Sequence, residues 1–268
     1  MKYVDTHAHI FDSNIPTVAG ARYSPDYTAS VKDYIHHLDS LGIEYGVLIQ
    51  PSFLGEDNSQ MLRAIAMYPQ RLKGIAVVPA DSALADLQVL KAQGIVGARL
   101  NLFGLDVPNL TEPTWQQFLH HLEQLDWQLE LHCPPAYLRQ LMPALQDFKG
   151  PVVLDHFGRV DPKLGVEDND YQFMLEQLDD RYWVKVSAYY RLGSDGLGQQ
   201  QAHQAFGLLL EHGMADRLVW GSDWPHTQHE NLVSYAHNYD YLQELVQDSS
   251  LKQAILSTNA LRLFGFKP

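Results

Sequence analysis

The chain has 268 residues, 46% hydrophobic and 19% charged, enough apolar side chains to bury a sizeable core and too few charges for a disordered chain. Its 19 Lys and Arg against 32 Asp and Glu leave a net charge of −13, which repels phosphate backbones and, with no basic run anywhere, excludes nucleic acid as a partner. The single cysteine, Cys133, excludes an intramolecular disulfide and any structural zinc site built on two thiolates of this chain, and it fits a reducing cytoplasm.

The first residues lead directly into a strand pattern without the apolar core of a signal peptide, so a cytoplasmic location is expected. The longest apolar runs, such as 45–49 and 150–154, fall far short of the roughly 20 residues a membrane span requires. A first strand over 3–9 carries Asp5-Thr6-His7-Ala8-His9. Residues i and i+2 of a strand share a face, so His7 and His9 present two imidazoles together. Val31, Tyr34, Ile35, Leu38 and Leu41 then mark a helical face that ends at Gly42. The second strand, 45–51, runs into Gln50-Pro51-Ser52; the third spans 72–78; the fourth, 96–100, carries Arg99 and leads to Asn101. Phe118, Leu119, Leu122 and Leu125 form the next helical face before a fifth strand, 128–133, that bears His132. A helix with Leu138, Leu141, Met142 and Leu145 stops near Gly150, and the sixth strand, 152–156, opens into Asp155-His156-Phe157-Gly158-Arg159. The seventh, 183–187, reaches Ser187 and then Tyr189, Tyr190 and Arg191. If that strand continues, the two tyrosines face opposite sides, and Tyr189 is the ligand-facing candidate. The eighth, 218–222, runs into Gly221-Ser222-Asp223-Trp224-Pro225-His226, and helical patterns over 239–246 and 251–263 close the chain.

Strands alternating with helices imply a parallel sheet covered on both faces. Eight such units in this length predict a single (β/α)8 TIM-type barrel occupying residues 1–268 as one domain. No GxGxxG or GxxxxGK[ST] supports an open nucleotide-binding sheet. Active sites of such barrels lie at the C-terminal strand ends, which is where the polar residues above fall. His36, His37, His120, His121, His203, His212, His229 and His237 sit in helical or loop stretches and are expected at the surface, while His226 stays a candidate through its proximity to Asp223.

Asp5-Thr6-His7-Ala8-His9, His132, His156 and Gly221-Ser222-Asp223-Trp224-Pro225, in this order and placement, resemble the amidohydrolase superfamily. Arg22-Tyr23-Ser24-Pro25, Gln50-Pro51-Ser52 with Asp57-Asn58, Gly97-Ala98-Arg99-Leu100-Asn101 and Asp155 to Arg159 are similar to the branch of 2-pyrone-4,6-dicarboxylate lactonases and related sugar lactonases. The resemblance implies a hydrolase of a small carboxylated lactone, with Ser52 and Tyr23 adding hydrogen bonds to the substrate. Two departures stand out. The fourth strand offers Arg99 where many members carry a metal-bridging carboxylated lysine, which argues against a binuclear centre. Phe103, Gly104 and Leu105 stand where the pyrone lactonases carry a further arginine, which weakens transfer of the same dicarboxylate.

The residues themselves suggest the chemistry. Asp223, a carboxylate among histidines, is the candidate base for water, His156 a carbonyl-polarising or substrate-contacting group, and His7 and His9 complete the catalytic set. Three imidazoles and a carboxylate, His7, His9, His132 and Asp223, suit one zinc or manganese ion. The resemblance also reaches pyrone lactonases that work metal-free, so both states are compatible with the set. Arg99, Arg159 and Arg191 near one barrel mouth favour a carboxylated substrate, against ion pairing to local carboxylates such as Asp155 or Asp195. A metal-dependent decarboxylase, a sugar (aldono)lactonase and a carboxylate-binding barrel without turnover are the competing readings, and no oligomeric state is implied.

Overall fold

A computed structural model describes residues 1–268. Eight strands appear where the sequence places them: β1 Val4–Ala8, β2 Tyr45–Ile49, β3 Leu72–Ala76, β4 Ile95–Asn101, β5 Gln128–His132, β6 Val152–Leu154, β7 Tyr182–Lys185 and β8 Leu218–Val219. Each pairs in parallel with the next in chain order. Beyond the short β8, the chain stays against β1. Thr6 N donates to Trp220 O at 3.0 Å, Asp223 N to His7 O at 2.8 Å, and His9 N to Trp224 O at 2.7 Å. A parallel bridge between Ala8 and Trp224 completes the seam, so the expected TIM-type barrel is the observed fold.

The surrounding helices are α1 Val31–Ser40, α2 Ser59–Met67, α3 Leu84–Ala92, α4 Pro113–Gln124, α5 Pro135–Ala144, α6 Asn169–Gln177, α7 Leu197–Glu211, α8 Tyr235–Leu245, α9 Ser249–Gln253 and α10 Asn259–Phe264. The expected apolar faces of α1, α4 and α5 are the buried ones: Tyr34, Ile35 and Leu38; Phe118, Leu119 and Leu122; Leu138, Leu141 and Met142. The predicted final helix is interrupted. A π-helical turn, Ala254–Thr258, separates α9 from α10, and there the Ser257 hydroxyl donates to Lys2 O at 2.8 Å. No helix is long and apolar enough to cross a membrane.

Inside the barrel the layers differ in chemistry. An apolar cluster of Val4, Tyr45, Val47, Ile49 and Ile75 packs with Phe264 and Phe266 of the tail, the Tyr45 and Phe266 rings stacking at 4.4 Å at its N-terminal end. Lys73 Nζ donates to the carbonyls of Phe264 and Gly265 at 2.6 and 2.8 Å and holds this plug in place. Higher up, Glu130 and Lys185 point inward with no exposure.

The seam between the first and last strands is tight because position 221 has no side chain. A Cβ on Gly221 would collide with the His7 side chain and sit 2.7 Å from His7 N. Gly221→Ala is therefore expected to cost about 1–3 kcal/mol through overpacking. Urea titration reads the loss, and activity should fall with it because His7 must move.

Candidate active site

Several of the expected strand-end residues lie on tight turns just beyond the regular pairing. His156–Gly158 is a single 3-10 turn with His156, Phe157 and Arg159 at φ of 52°, 58° and 59°. Tyr189–Arg191 is another, preceded by Ala188 at φ 52°. The seventh strand thus does not continue through the tyrosines, and the expected alternation fails there. Both line the cavity. Tyr190 OH donates to Asp223 Oδ2 at 2.6 Å, while Tyr189 turns its hydroxyl toward His237 Nε2, 3.4 Å away.

The cavity, about 630 Å³, opens at the C-terminal strand ends, and His9, Ser52, Arg99, His132, His156, Arg159, Arg191 and Asp223 are among its walls. Tyr23 also lines it, its hydroxyl 3.2 Å from Thr227 Oγ1. His7 lies fully buried beside His9, their Nε2 atoms 3.3 Å apart. Asp5 is a clasp rather than a reactant. Its carboxylate accepts from Ser222 N (2.8 Å), Ser222 Oγ (2.7 Å), Tyr235 OH (3.0 Å) and His7 N (3.1 Å).

Asp223 divides its two oxygens. Oδ2 accepts from Tyr190 and from Arg191 Nε at 2.7 Å. Oδ1 faces the Nε2 atoms of His9, His7 and His156 at 3.5, 3.6 and 3.8 Å. Burial works to raise its pKa, but Arg191 and the surrounding histidines prevail and hold it well below the usual carboxylate range. His156 is fixed by Ser187, whose Oγ is 2.9 Å from its Nδ1, and burial pushes its pKa down to about 3. It is a neutral imidazole at neutral pH.

A belt of paired charge lies beneath. Arg99 donates to Asp155 Oδ2 from Nε and Nη2 at 3.1 and 2.7 Å. Lys185 Nζ donates to both Glu130 oxygens at 2.8 Å and lies 3.2 Å from His7 Nδ1 and 3.4 Å from Asp155 Oδ1. Burial raises the Glu130 pKa to about 7 against the pull of Lys185. Ion pairing, the competing explanation for the arginines, thus applies to Arg99 and Arg191. It does not apply to Arg159, whose Nε and Nη1 atoms are buried without a partner and whose guanidinium lies over the Phe103 ring, 4.4 Å from its centroid.

Nε2 of His7, Nε2 of His9 and Oδ1 of Asp223 form a triangle with sides of 3.3, 3.5 and 3.6 Å. Ligand atoms about 2.1 Å from one tetrahedral ion are about 3.4 Å apart, so the three match one face of such a site. His9 Nδ1 donates to Ile49 O at 2.7 Å, which leaves its Nε2 lone pair aimed at the centre. At His7 the Nδ1 atom lies 3.3 Å from Asp155 Oδ1 and 3.2 Å from Lys185 Nζ. A second compact donor cluster joins His7, Asp155 and His156, and His132 belongs to neither. Its Nδ1 is 3.2 Å from Asn101 Oδ1, and its buried Nε2 has no partner.

The surface assignment of the remaining histidines needs correction at three positions. His229 is half-buried at the cavity wall, in the loop after β8; His37 is half-buried, stacked on Tyr235 at 4.9 Å; and His121 is half-buried on α4, while His237 is exposed as expected, at the cavity rim in the first turn of α8. His226 is buried, its Nδ1 3.2 Å from both Tyr190 OH and Asn238 Nδ2. Sequence reasoning missed Tyr190, Arg22, Glu130 and Lys185. The last two had a signal: each stands two residues before a polar residue, His132 and Ser187, that the sequence already places at the site.

A closed parallel barrel whose strand ends gather imidazoles, an ionised carboxylate and guanidiniums around one cavity is a hydrolytic (β/α)8 scaffold. A family model described as Amidohydrolase matches residues 4–266, and the chain belongs to that family. It is similar to the solved structure of a probable 2-pyrone-4,6-dicarboxylic acid hydrolase from Acinetobacter baumannii with citric acid bound. The two share 50% identity at a TM-score of 0.98, over 99% of this chain and 100% of that one. The 4-sulfomuconolactone hydrolase of Rhizobium radiobacter is 29% identical over 97% of this chain and 89% of its own length. The 2-pyrone-4,6-dicarboxylate hydrolase of Comamonas testosteroni is 26% identical, with the same coverage of 97% and 89%.

The buried histidines set the acid stability. Burial lowers the pKa of His156 to about 3 and of His226 to about 4, and holds His7 and His132 well below an ordinary histidine. The unfolded chain takes up these protons near pH 6.5 and the folded chain does not, so the contribution of these rings is full above that pH and falls below it, against a smaller opposing contribution from Glu130, whose pKa is raised to about 7. Each such group contributes about 1.4 kcal/mol per pH unit. The urea midpoint should drop steadily from pH 7 to pH 5; a flat profile would contradict the burial of these rings as neutral groups.

Proposed function

We propose that the enzyme is a lactone hydrolase acting on a small carboxylated lactone. One observation carries this reading: an ionised Asp223, with one oxygen facing three imidazoles, shares a cavity with the half-buried Arg159, whose inaccessible Nε and Nη1 have no carboxylate of their own. A substrate carboxylate answers Arg159, and its ring carbonyl then lies among the histidines. The relatives support the class, since two are lactone hydrolases by name and a third carries citric acid, a tricarboxylic acid. Residues 1–268 act in this reading as one catalytic barrel.

In the proposed reaction Asp223 Oδ1 takes the proton of a water as its oxygen bonds to the lactone carbonyl carbon. Charge develops on the carbonyl oxygen, where His156 supplies an Nε2–H if Ser187 donates to its Nδ1. The ring C–O bond then breaks, and Asp223 returns the proton to the departing enolate or alkoxide. A carboxylate held this far below its usual pKa is a weak base, so polarisation of the carbonyl must supply much of the driving force. A leaving enolate eases the step because it is less basic than an alkoxide. His7, His9 and Asp223 would hold a divalent zinc or manganese ion, whose contribution when bound is Lewis-acid polarisation. Ser52, Tyr23 and Tyr189 orient the substrate, and Arg99 and Arg191 act mainly through the carboxylates they hold.

The test is a panel of pyrones, muconolactones and aldonolactones followed by proton release, with and without chelator. At least one carboxylated lactone should be opened, and Asp223→Asn should lower kcat by about 100- to 10,000-fold. Failure to open any lactone under either condition defeats the reading. Carbon dioxide release from a carboxylated substrate would instead mark a decarboxylase, and tight ligand binding without turnover a carrier.

A further inference from the structure

We propose that Lys185 is a positioning residue: it fixes His7 as the tautomer that bears its proton on Nε2, and so weakens the hold of His7, His9 and Asp223 on a divalent ion. His9 Nδ1 lies 2.7 Å from Ile49 O, an atom that only accepts, so this nitrogen carries a proton and the neutral ring has a bare Nε2. Asp223 Oδ1 is a carboxylate oxygen and likewise an acceptor. Nε2 of His7 sits 3.3 Å from the first and 3.6 Å from the second. With no ion between them, a third lone pair at that corner is repelled by both neighbours, whereas an Nε2–H is attracted by both.

The opposite nitrogen then needs a donor, and Lys185 is there. Its Nζ donates to His7 Nδ1 at 3.2 Å and to both Glu130 oxygens at 2.8 Å. An ammonium has three protons and no lone pair, so it attracts a bare Nδ1 and repels a protonated one. A proton added instead to His9 Nε2 would turn a His7 Nδ1–H onto that ammonium. The rival partner for Nδ1 is Asp155 Oδ1, 3.3 Å away, but this buried oxygen has no hydrogen bond. His7, Glu130, Asp155 and Lys185 are all buried, so water does not substitute for any of these contacts. The outcome is a directed chain in which Lys185 donates to His7, His7 to His9 and His9 to Ile49 O. It occupies the His9 lone pair and leaves Asp223 Oδ1 as the acceptor open to a water. That catalytic consequence rests on the lactonase reading; the tautomer does not. A divalent ion requires the lone pair of His7 Nε2, and its binding moves the proton to Nδ1, against Lys185.

Nitrogen-15 NMR of the histidine-labelled, chelator-treated enzyme at neutral pH reads the tautomer without any turnover, with the His7 signals assigned by their loss in His7→Gln. A protonated Nε2 and a bare Nδ1 are expected. The reverse pattern, or a ring protonated at both nitrogens, overturns the proposal. Lys185→Met combined with Glu130→Gln removes both charges of the buried pair together, so neither is left alone in the interior. In this double variant the His7 proton should move to Nδ1, toward Asp155, and zinc measured by competition with a chelating dye should bind about tenfold tighter or more. A His7 tautomer unchanged by the double substitution, or a zinc Kd unchanged or raised, overturns the proposal. If circular dichroism shows that the double variant does not fold, the spectrum of the unaltered enzyme decides. Absence of lactone turnover in that enzyme would defeat the lactonase reading and leave the Lys185 assignment to these two measurements.

Discussion

The site exists because the first strand closes on the last. Asp5, fully buried and without a cation, accepts four hydrogen bonds, three of them from Ser222 and Tyr235, and so ties β1 to the chain beyond β8. An unsatisfied carboxylate in that position would be costly, so the clasp is either complete or badly destabilising. Closure sets His7 and His9 opposite Asp223, and the backbone bonds from Asp223 N to His7 O and from His9 N to Trp224 O hold that alignment. Groups from opposite ends of the chain thereby come within 3.6 Å.

Above this seam the interior is ordered by charge. The N-terminal end is apolar and plugged by the tail, the middle carries matched ions, and the mouth carries cations that lack partners. The order has a physical logic. Ions buried deep must pair within the protein, because no ligand reaches them and desolvation alone would penalise them heavily. Ions at the mouth can stay unpaired in the free enzyme because the substrate completes them. Lys185 and Glu130 are thus supports for His7, while Arg159 is available to a substrate.

The same field shapes the chemistry. Arg191 and Tyr190 bind one oxygen of Asp223, which fixes the other toward the imidazoles and lowers its basicity. Proton abstraction by such a group is demanding unless the carbonyl is strongly polarised, so the acid–base and electrophilic parts of the site depend on each other. The turns that carry these groups hold non-glycine residues at positive φ, among them His156, Ala188 and Asp223. Such conformations persist where the surroundings impose them, and they aim side chains that a regular strand would direct elsewhere.

Much of this was legible in the linear order of residues. Alternating apolar runs and helical faces specified eight β/α units, and short polar motifs at the ends of those runs picked out His7, His9, His156 and Asp223, because strand direction in a barrel determines which end bears chemistry. Periodicity could not reveal that the seventh strand stops at Lys185, since a left-handed residue at Ala188 is a local turn with no hydrophobic signature. Nor could it separate Arg99 and Arg191, which are already paired, from Arg159, which is not. Sequence by itself determined the barrel, the end of it that carries the chemistry and most of the side chains there, since these follow from patterns within single segments. Tertiary structure alone decided which charges neutralise one another and which remain for a ligand, because that depends on distances between segments far apart in the chain.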